Sequence, residues 1–162
     1  MVIDVGAAGK GYLVDLIARA LLDDGIDEFV VDGSGDLRHR GAEPVVVGLE
    51  HPTRPGRVIG TVPLRDAALC ASATTRRAWG EGLHHVHDGR TGRPVSDVVA
   101  TWVIAADAAT ADGLATALFV SEPRLCRPWS SRGCGWSPTA AFSGRTTSTA
   151  SSSSDPLGRH SF

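Results

Sequence analysis

The chain has 162 residues, 42% of them hydrophobic and 21% charged, with a formal net charge of −2. That length supports one domain with a proper core, and the near-neutral balance supplies no field that would draw nucleic acid or an anionic membrane. No apolar run of about 18 residues occurs, and no basic region followed by an apolar core opens the sequence, so no membrane segment is expected and the chain reads as cytoplasmic.

The opening stretch, Val2-Ile3-Asp4-Val5-Gly6-Ala7-Ala8-Gly9-Lys10-Gly11-Tyr12, is a short apolar strand, a run of tiny residues and a lysine where a helix begins. The small residues let a large ligand lie on the backbone. Lys10 and the helix N-terminus suit a phosphate, because the helix dipole favours anions at that end. Read alone, the stretch is also an ordinary strand-to-helix turn. Its glycine spacing is neither that of a Walker loop nor that of a dinucleotide fold.

From Lys10 to Asp24, Leu13, Leu16, Ile17, Ala20 and Leu21 recur at helical spacing, with Asp15, Arg19 and Asp23 elsewhere and Gly25 as the stop. This predicts an amphipathic helix over 10–24. Phe29-Val30-Val31 predicts a short buried strand, and Asp32-Gly33-Ser34-Gly35-Asp36 a tight polar loop. Strands near 44–49 and 57–64 should pair as a hairpin across the His51-Pro52 and Pro55-Gly56 turn. Ala67 to Ser72 is a further small apolar segment.

Leu83-His84-His85-Val86-His87-Asp88 follows, expected as a strand with His85 and His87 on one face and His84 on the other. Three histidines so close raise zinc, but no cysteine or third ligand lies nearby to complete a tetrahedral set. A turn at Gly89–Pro94 leads into an apolar strand over 98–106 and a second helix over 108–120, with Ala111, Leu114 and Leu118 on its buried side. On that helix Asp112 and Thr116 stand four residues apart, so a carboxylate and a hydroxyl project side by side. Both are hard oxygen donors suited to Mg²⁺. Equally, they read as an acid near the helix start and a threonine bonding back to the preceding turn.

From about Arg124 the pattern dissolves, and Thr146 to Ser154 is almost entirely Ser and Thr. Such a segment buries too little apolar surface to offset its ordering entropy, so 124–162 is expected to be a low-complexity, largely disordered tail. Cys70, Cys126 and Cys134 have no metal-type spacing and read as reduced, incidental thiols.

Taken together and in order, four patches resemble the ApbE family of FAD:protein FMN transferases. They are Asp4-x-x-Ala7-x-x-Lys10-Gly11-Tyr12; Gly35-Asp36 with His51-Pro52 after it; His85-Val86-His87-Asp88-Gly89-Arg90-Thr91-Gly92-Arg93-Pro94; and Ala111-Asp112-Gly113-Leu114-Ala115-Thr116-Ala117-Leu118. The resemblance covers roughly residues 2–123. It implies a partial flavin transferase domain over 1–123 that, with Mg²⁺, cleaves the FAD pyrophosphate and attaches FMN to a Thr or Ser hydroxyl of an acceptor protein. Carried over residue by residue, it implies FAD contacts at Asp4, Lys10 and His87. The metal ligands implied are the Ala7 carbonyl, Asp112 and Thr116, and the base implied is His85.

The sequence departs from the family's pattern in several places. Ser34-Gly35 replaces two glycines, Asp88-Gly89 replaces Asp-Pro, His87 stands where an aliphatic residue is usual, and Ala115 stands where some members have an acid. The opening turn corresponds to a point well inside the family's domain, so the chain is expected to be N-terminally truncated with a divergent C-terminal tail. An inactive nucleotide-binding remnant, or a Mg²⁺-dependent FAD hydrolase giving FMN and AMP, stay open beside transfer. An unpaired first strand makes a homo-oligomer an option. The expected fold is α+β: a mixed, largely antiparallel sheet from strands near 29–32, 44–49, 57–64, 83–87 and 98–106, with two packed helices that bring Ala7 next to Asp112.

Overall fold

The computed structural model describes residues 5–74, 78–79, 83–96, 98–120 and 140–145. The chain begins with helix α1 (Gly9–Asp23), then strands β1 (Phe29–Asp32), β2 (Asp36–Arg40), β3 (Val45–Glu50), β4 (Val58–Leu64) and β5 (Ala68–Ala73). Four two-residue strands follow: β6 (Ala78–Trp79), β7 (Leu83–His84), β8 (His87–Asp88) and β9 (Arg93–Pro94). The last elements are β10 (Val98–Ala105), α2 (Ala108–Val120) and β11 (Ala140–Arg145). Among the described residues no helix is long and apolar enough to cross a membrane.

The architecture is α+β in three layers. A five-stranded sheet has the order β1-β2-β5-β10-β11, and every pairing in it is antiparallel. One face carries α1 and α2 over Val14, Ala68, Cys70, Val103 and Ala105. The other carries the β3–β4 hairpin, whose Leu49, Val62 and Leu64 pack on Leu69, Ala100 and Trp102. Coverage on both faces is why β10 is almost continuously apolar rather than alternating.

Sheet membership differs from the expectation in two respects. The segments 45–50 and 58–64 do pair with each other, but as a separate layer. Their places in the main sheet are taken by β2 and β5. Asp36-Leu37-Arg38-His39-Arg40 carries too many polar side chains to announce a strand, yet it pairs on both edges, with β1 and with β5. The 83–87 segment is divided between two small hairpins, β6–β7 and β8–β9. Within the tail, Ala140–Arg145 pairs with β10; the rest of 124–162 lies outside the described residues.

The helices bury small residues instead of large ones. On α1 the buried positions are Gly11, Val14 and Ala18, whereas Leu13, Leu16 and Ile17 are exposed. On α2 they include Ala108, Ala111, Asp112, Ala115 and Leu118, and Leu114 is exposed. This corrects the apolar faces read from spacing alone. Small side chains win because the two helices touch almost backbone to backbone, where a leucine stripe would hold them apart.

Candidate functional site

The first turn of α1 and the middle of α2 are locked together from both sides. The Gly11 N–H donates to Asp112 Oδ2 at 3.0 Å. One turn further along α1, Asp15 accepts from the N–H groups of Ala108 and Ala109 at 2.9 and 2.8 Å. Those two N–H groups belong to the start of α2, where a carboxylate satisfies unpaired donors and complements the dipole. Asp107, just before α2, accepts from the Thr110 N–H at 2.8 Å in the usual capping manner. Because residues 11 and 15 meet residues 112 and 108, the helices run antiparallel.

Gly11 makes this approach possible. A Cβ built there would stand 2.2 Å from the Ala108 carbonyl oxygen and 2.8 Å from the Asp112 Cβ. One turn beyond Asp112, Thr116 Oγ1 lies 3.5 Å from the Ala7 carbonyl oxygen across 109 positions of sequence. Ser72 Oγ on β5 lies 3.4 Å from the same hydroxyl. The Ala7 carbonyl thus meets Thr116, one helical turn from the Asp112 that holds the Gly11 N–H.

Lys10 enters the same place from α1. Its ammonium is 2.8 Å from Asp36 Oδ2 and 3.5 Å from the Ser34 carbonyl. Asp36 is fully buried, so this ion pair is the charge partner of a carboxylate withdrawn from solvent. The loop that delivers Asp36 turns through left-handed backbone at Ser34 (φ 62°) and Gly35 (φ 100°), with the Gly35 N–H bonded to Asp32 Oδ1 at 3.1 Å.

Charge crowding perturbs two neighbours. Burial raises the Asp112 carboxyl above its ordinary range; the Gly11 N–H opposes this, while Asp36 adds to it and Lys10 subtracts. The buried Cys70 thiol is pushed far up by burial first and then by the charges of Asp36 and Asp112, which keeps it an inert thiol.

Beside Ser72 opens a cavity of about 330 Å³ lined by His51, Pro52, Thr53, Ser72 and Trp102 among others, a size within the range of small-molecule sites. The Thr53 N–H donates to His51 Nδ1 at 3.2 Å. In the neutral ring this assigns the proton to Nε2.

The histidine-rich segment is arranged more simply. His84 is buried, its Nδ1 accepting from the Val86 N–H at 3.2 Å and its Nε2 lying 2.8 Å from the Val95 carbonyl. Its role is structural. His85 and His87 are both exposed, and His87 Nδ1 lies 3.3 Å from the His85 carbonyl. The bonds named above between α1, β2 and α2 are made by other residues. Arg90 grips Asp88 through Nε at 3.2 Å and Nη2 at 3.1 Å, holding the turn in shape and drawing the Asp88 carboxyl below its ordinary range. Asp4 lies outside the described residues.

Sequence reading missed Asp15, Asp36 and Ser72 as parts of this arrangement. Asp15 carried a faint signal, as an acid one helical turn after a glycine. Asp36 stood in a quoted motif without a role, and nothing in sequence marked Ser72.

A family model described as the ApbE family matches residues 1–133. The FAD:protein FMN transferase of Salmonella typhimurium is 33% identical over 127 residues, covering 73% of this chain and 36% of that protein. That of Escherichia coli is 32% identical over 134 residues, covering 77% and 38%. The crystal structure of the ApbE protein from Thermotoga maritima matches with a TM-score of 0.68 at 35% identity, over 73% of this chain and 40% of that one. The flavin transferase ApbE from Vibrio cholerae matches with a TM-score of 0.62 at 31% identity, over the same shares. The chain thus spans between 36% and 38% of the length of the two curated relatives. With four fifths of its residues under the family model and relatives above 30% identity over about three quarters of its length, this chain belongs to the ApbE family.

Proposed function

We propose that this chain carries the flavin-transfer chemistry of its relatives: Mg²⁺-dependent cleavage of the FAD pyrophosphate, with transfer of FMN to a Thr or Ser hydroxyl of an acceptor protein. The segment that does so is residues 1–123, and from 124–162 the strand Ala140–Arg145 adds to the edge of its sheet. The observation that carries this reading is the meeting of the Ala7 carbonyl with Thr116, one turn from Asp112.

Carbonyl, carboxylate and hydroxyl form a hard oxygen set that suits Mg²⁺. The fit has a physical sign, since burial leaves the Asp112 charge under-compensated and a cation would relieve it. Ala7, Asp112 and Thr116 would hold the ion, which supplies charge neutralisation on the pyrophosphate.

The chain's own groups do the remaining work. Lys10 sets a positive charge at the start of α1, where phosphates are already favoured by the dipole, and Asp4 and His87 contact the nucleotide. His85, exposed where a protein acceptor can reach it, takes the proton of the incoming hydroxyl. That oxygen bonds to the phosphorus of the FMN half, the bridging P–O bond breaks, and AMP leaves with the electron pair. Positioning and charge stabilisation are what such a transfer demands.

The test is incubation of the purified chain with FAD, Mg²⁺ and a peptide carrying an acceptor threonine, followed by in-gel flavin fluorescence and AMP measurement. Labelled peptide with stoichiometric AMP is expected. AMP without label would convert the reading to FAD hydrolysis, and neither product would leave a remnant that only binds nucleotide.

A further inference from the structure

Lys10 is the only lysine in a chain whose Lys and Arg total 16. A compact ammonium suits its position, between the buried Asp36 carboxylate at 2.8 Å and the Ser34 carbonyl at 3.5 Å, where a planar guanidinium fork would need more room. Asp36 itself has no place in the chemistry above. It is fully buried on β2, behind Lys10, whereas the lysine side chain remains 43% exposed.

We propose that Asp36 is a positioning residue for Lys10: its buried carboxylate anchors the chain's single ammonium at the mouth of the first turn, so that the charge meets the FAD pyrophosphate from a set direction. This rests on the flavin-transfer reading for what Lys10 does, but not for how Lys10 is held. The anchor itself is stiff. The Asp36 carbonyl accepts the Gly33 N–H at 2.8 Å, and the Gly35 carbonyl accepts the Ala71 N–H at 3.2 Å, so the loop is tied to itself and to β5. A long lysine side chain loses most of its rotamer freedom only when something holds its end. Asp36 is the one ion-pair partner of Lys10 among the described residues.

A single lysine makes the idea directly measurable. The full chain labelled with [¹³Cε]lysine gives one side-chain signal, whose relaxation reports Lys10 order. We expect an ordered ammonium in the wild type and roughly a halving of its order parameter in Asp36→Asn, which keeps the side-chain volume and removes the charge. In parallel, kcat for AMP release from FAD should fall about 10-fold in Asp36→Asn with KM for FAD changed by less than about two-fold, because a mobile charge still attracts but no longer aligns. If Asp36→Asn does not fold, Asp36→Glu takes its place, since it keeps the charge but displaces it by one methylene and should shift the signal. Unchanged Lys10 order in a folded variant overturns the anchor. Retained order loss with unchanged kcat overturns the positioning role. A wild type that releases no AMP overturns the flavin-transfer reading instead, and the relaxation measurement still decides whether Asp36 holds Lys10.

Discussion

The amide of Gly11 and the carboxylate of Asp112 are 101 positions apart in sequence and 3.0 Å apart in space. That single bond ties the phosphate-type turn to the acid of the second helix, and it exists only because residue 11 has no side chain. The helices are pressed together where Gly11 faces the Ala108 carbonyl.

Gly11→Ala should therefore be severely destabilising, by about 3 kcal/mol, since the new methyl meets a backbone oxygen that cannot rotate away. Gly113→Ala is the control. Its added Cβ would meet only the Ala8 methyl at 3.7 Å, an ordinary contact. In a helix interior that change should stabilise by about 0.5–1 kcal/mol. Urea unfolding of both variants checks the pair, and similar effects of the two substitutions would contradict the packing.

Asp15→Ala should cost about 1–2 kcal/mol, because two N–H groups at the start of α2 lose their acceptors together with a favourable charge at the helix dipole. Asp15→Asn keeps one acceptor and should lose roughly half as much. Thermal melts of the two variants measure the difference; equal stability of wild type and Asp15→Ala would show that the contact across the helices contributes nothing.

Asp112 makes a pH-dependent prediction. Its carboxyl is raised in the folded chain above its ordinary range, chiefly by burial. Between the unfolded value and the raised one the folded state binds more protons than the unfolded state, so stability falls as pH rises through that window and stays lower above it. Asp112→Asn keeps an acceptor for the Gly11 N–H and removes the titration. It should be more stable than wild type at pH 8, with the advantage vanishing once the pH drops below the unfolded value. The same substitution should abolish metal-dependent turnover. Mg²⁺ should raise the wild-type melting temperature at pH 8 and leave Asp112→Asn unmoved, a contrast that calorimetry with and without the ion resolves.

Ser34 occupies left-handed backbone (φ 62°), which costs an L-residue other than Asn or Asp on the order of 1 kcal/mol. Ser34→Gly should recover part of that. The change leaves Asp36 and its loop bonds in place, so FAD affinity should be unaltered. A destabilised variant in chemical denaturation would show that the serine side chain holds the loop.

Composition and spacing were enough to reveal both helices, the β3–β4 hairpin and the apolar run of β10, because each is a local pattern repeated over several residues. Family motifs in the sequence also named Ala7, Lys10, Asp112 and Thr116, and the fold sets the Ala7 carbonyl against Thr116 and the Gly11 amide, next to Lys10 in sequence, against Asp112. What sequence could not show was how they are brought there. The polar strand Asp36–Arg40 lies inside the sheet because β1 and β5 pair with it on either side, not because its own residues favour a strand. Leucines at helical spacing on α1 suggested the buried face, yet the tertiary structure turned Gly11, Val14 and Ala18 inward. Close approach of two helices is decided by the smallest side chains at the contact, and that is a property of a pair of segments, not of either one. For the same reason Asp15 and Asp36 become an anchor for α2 and an anchor for Lys10 only when distant segments meet, since a carboxylate's role is set by the donor it finds.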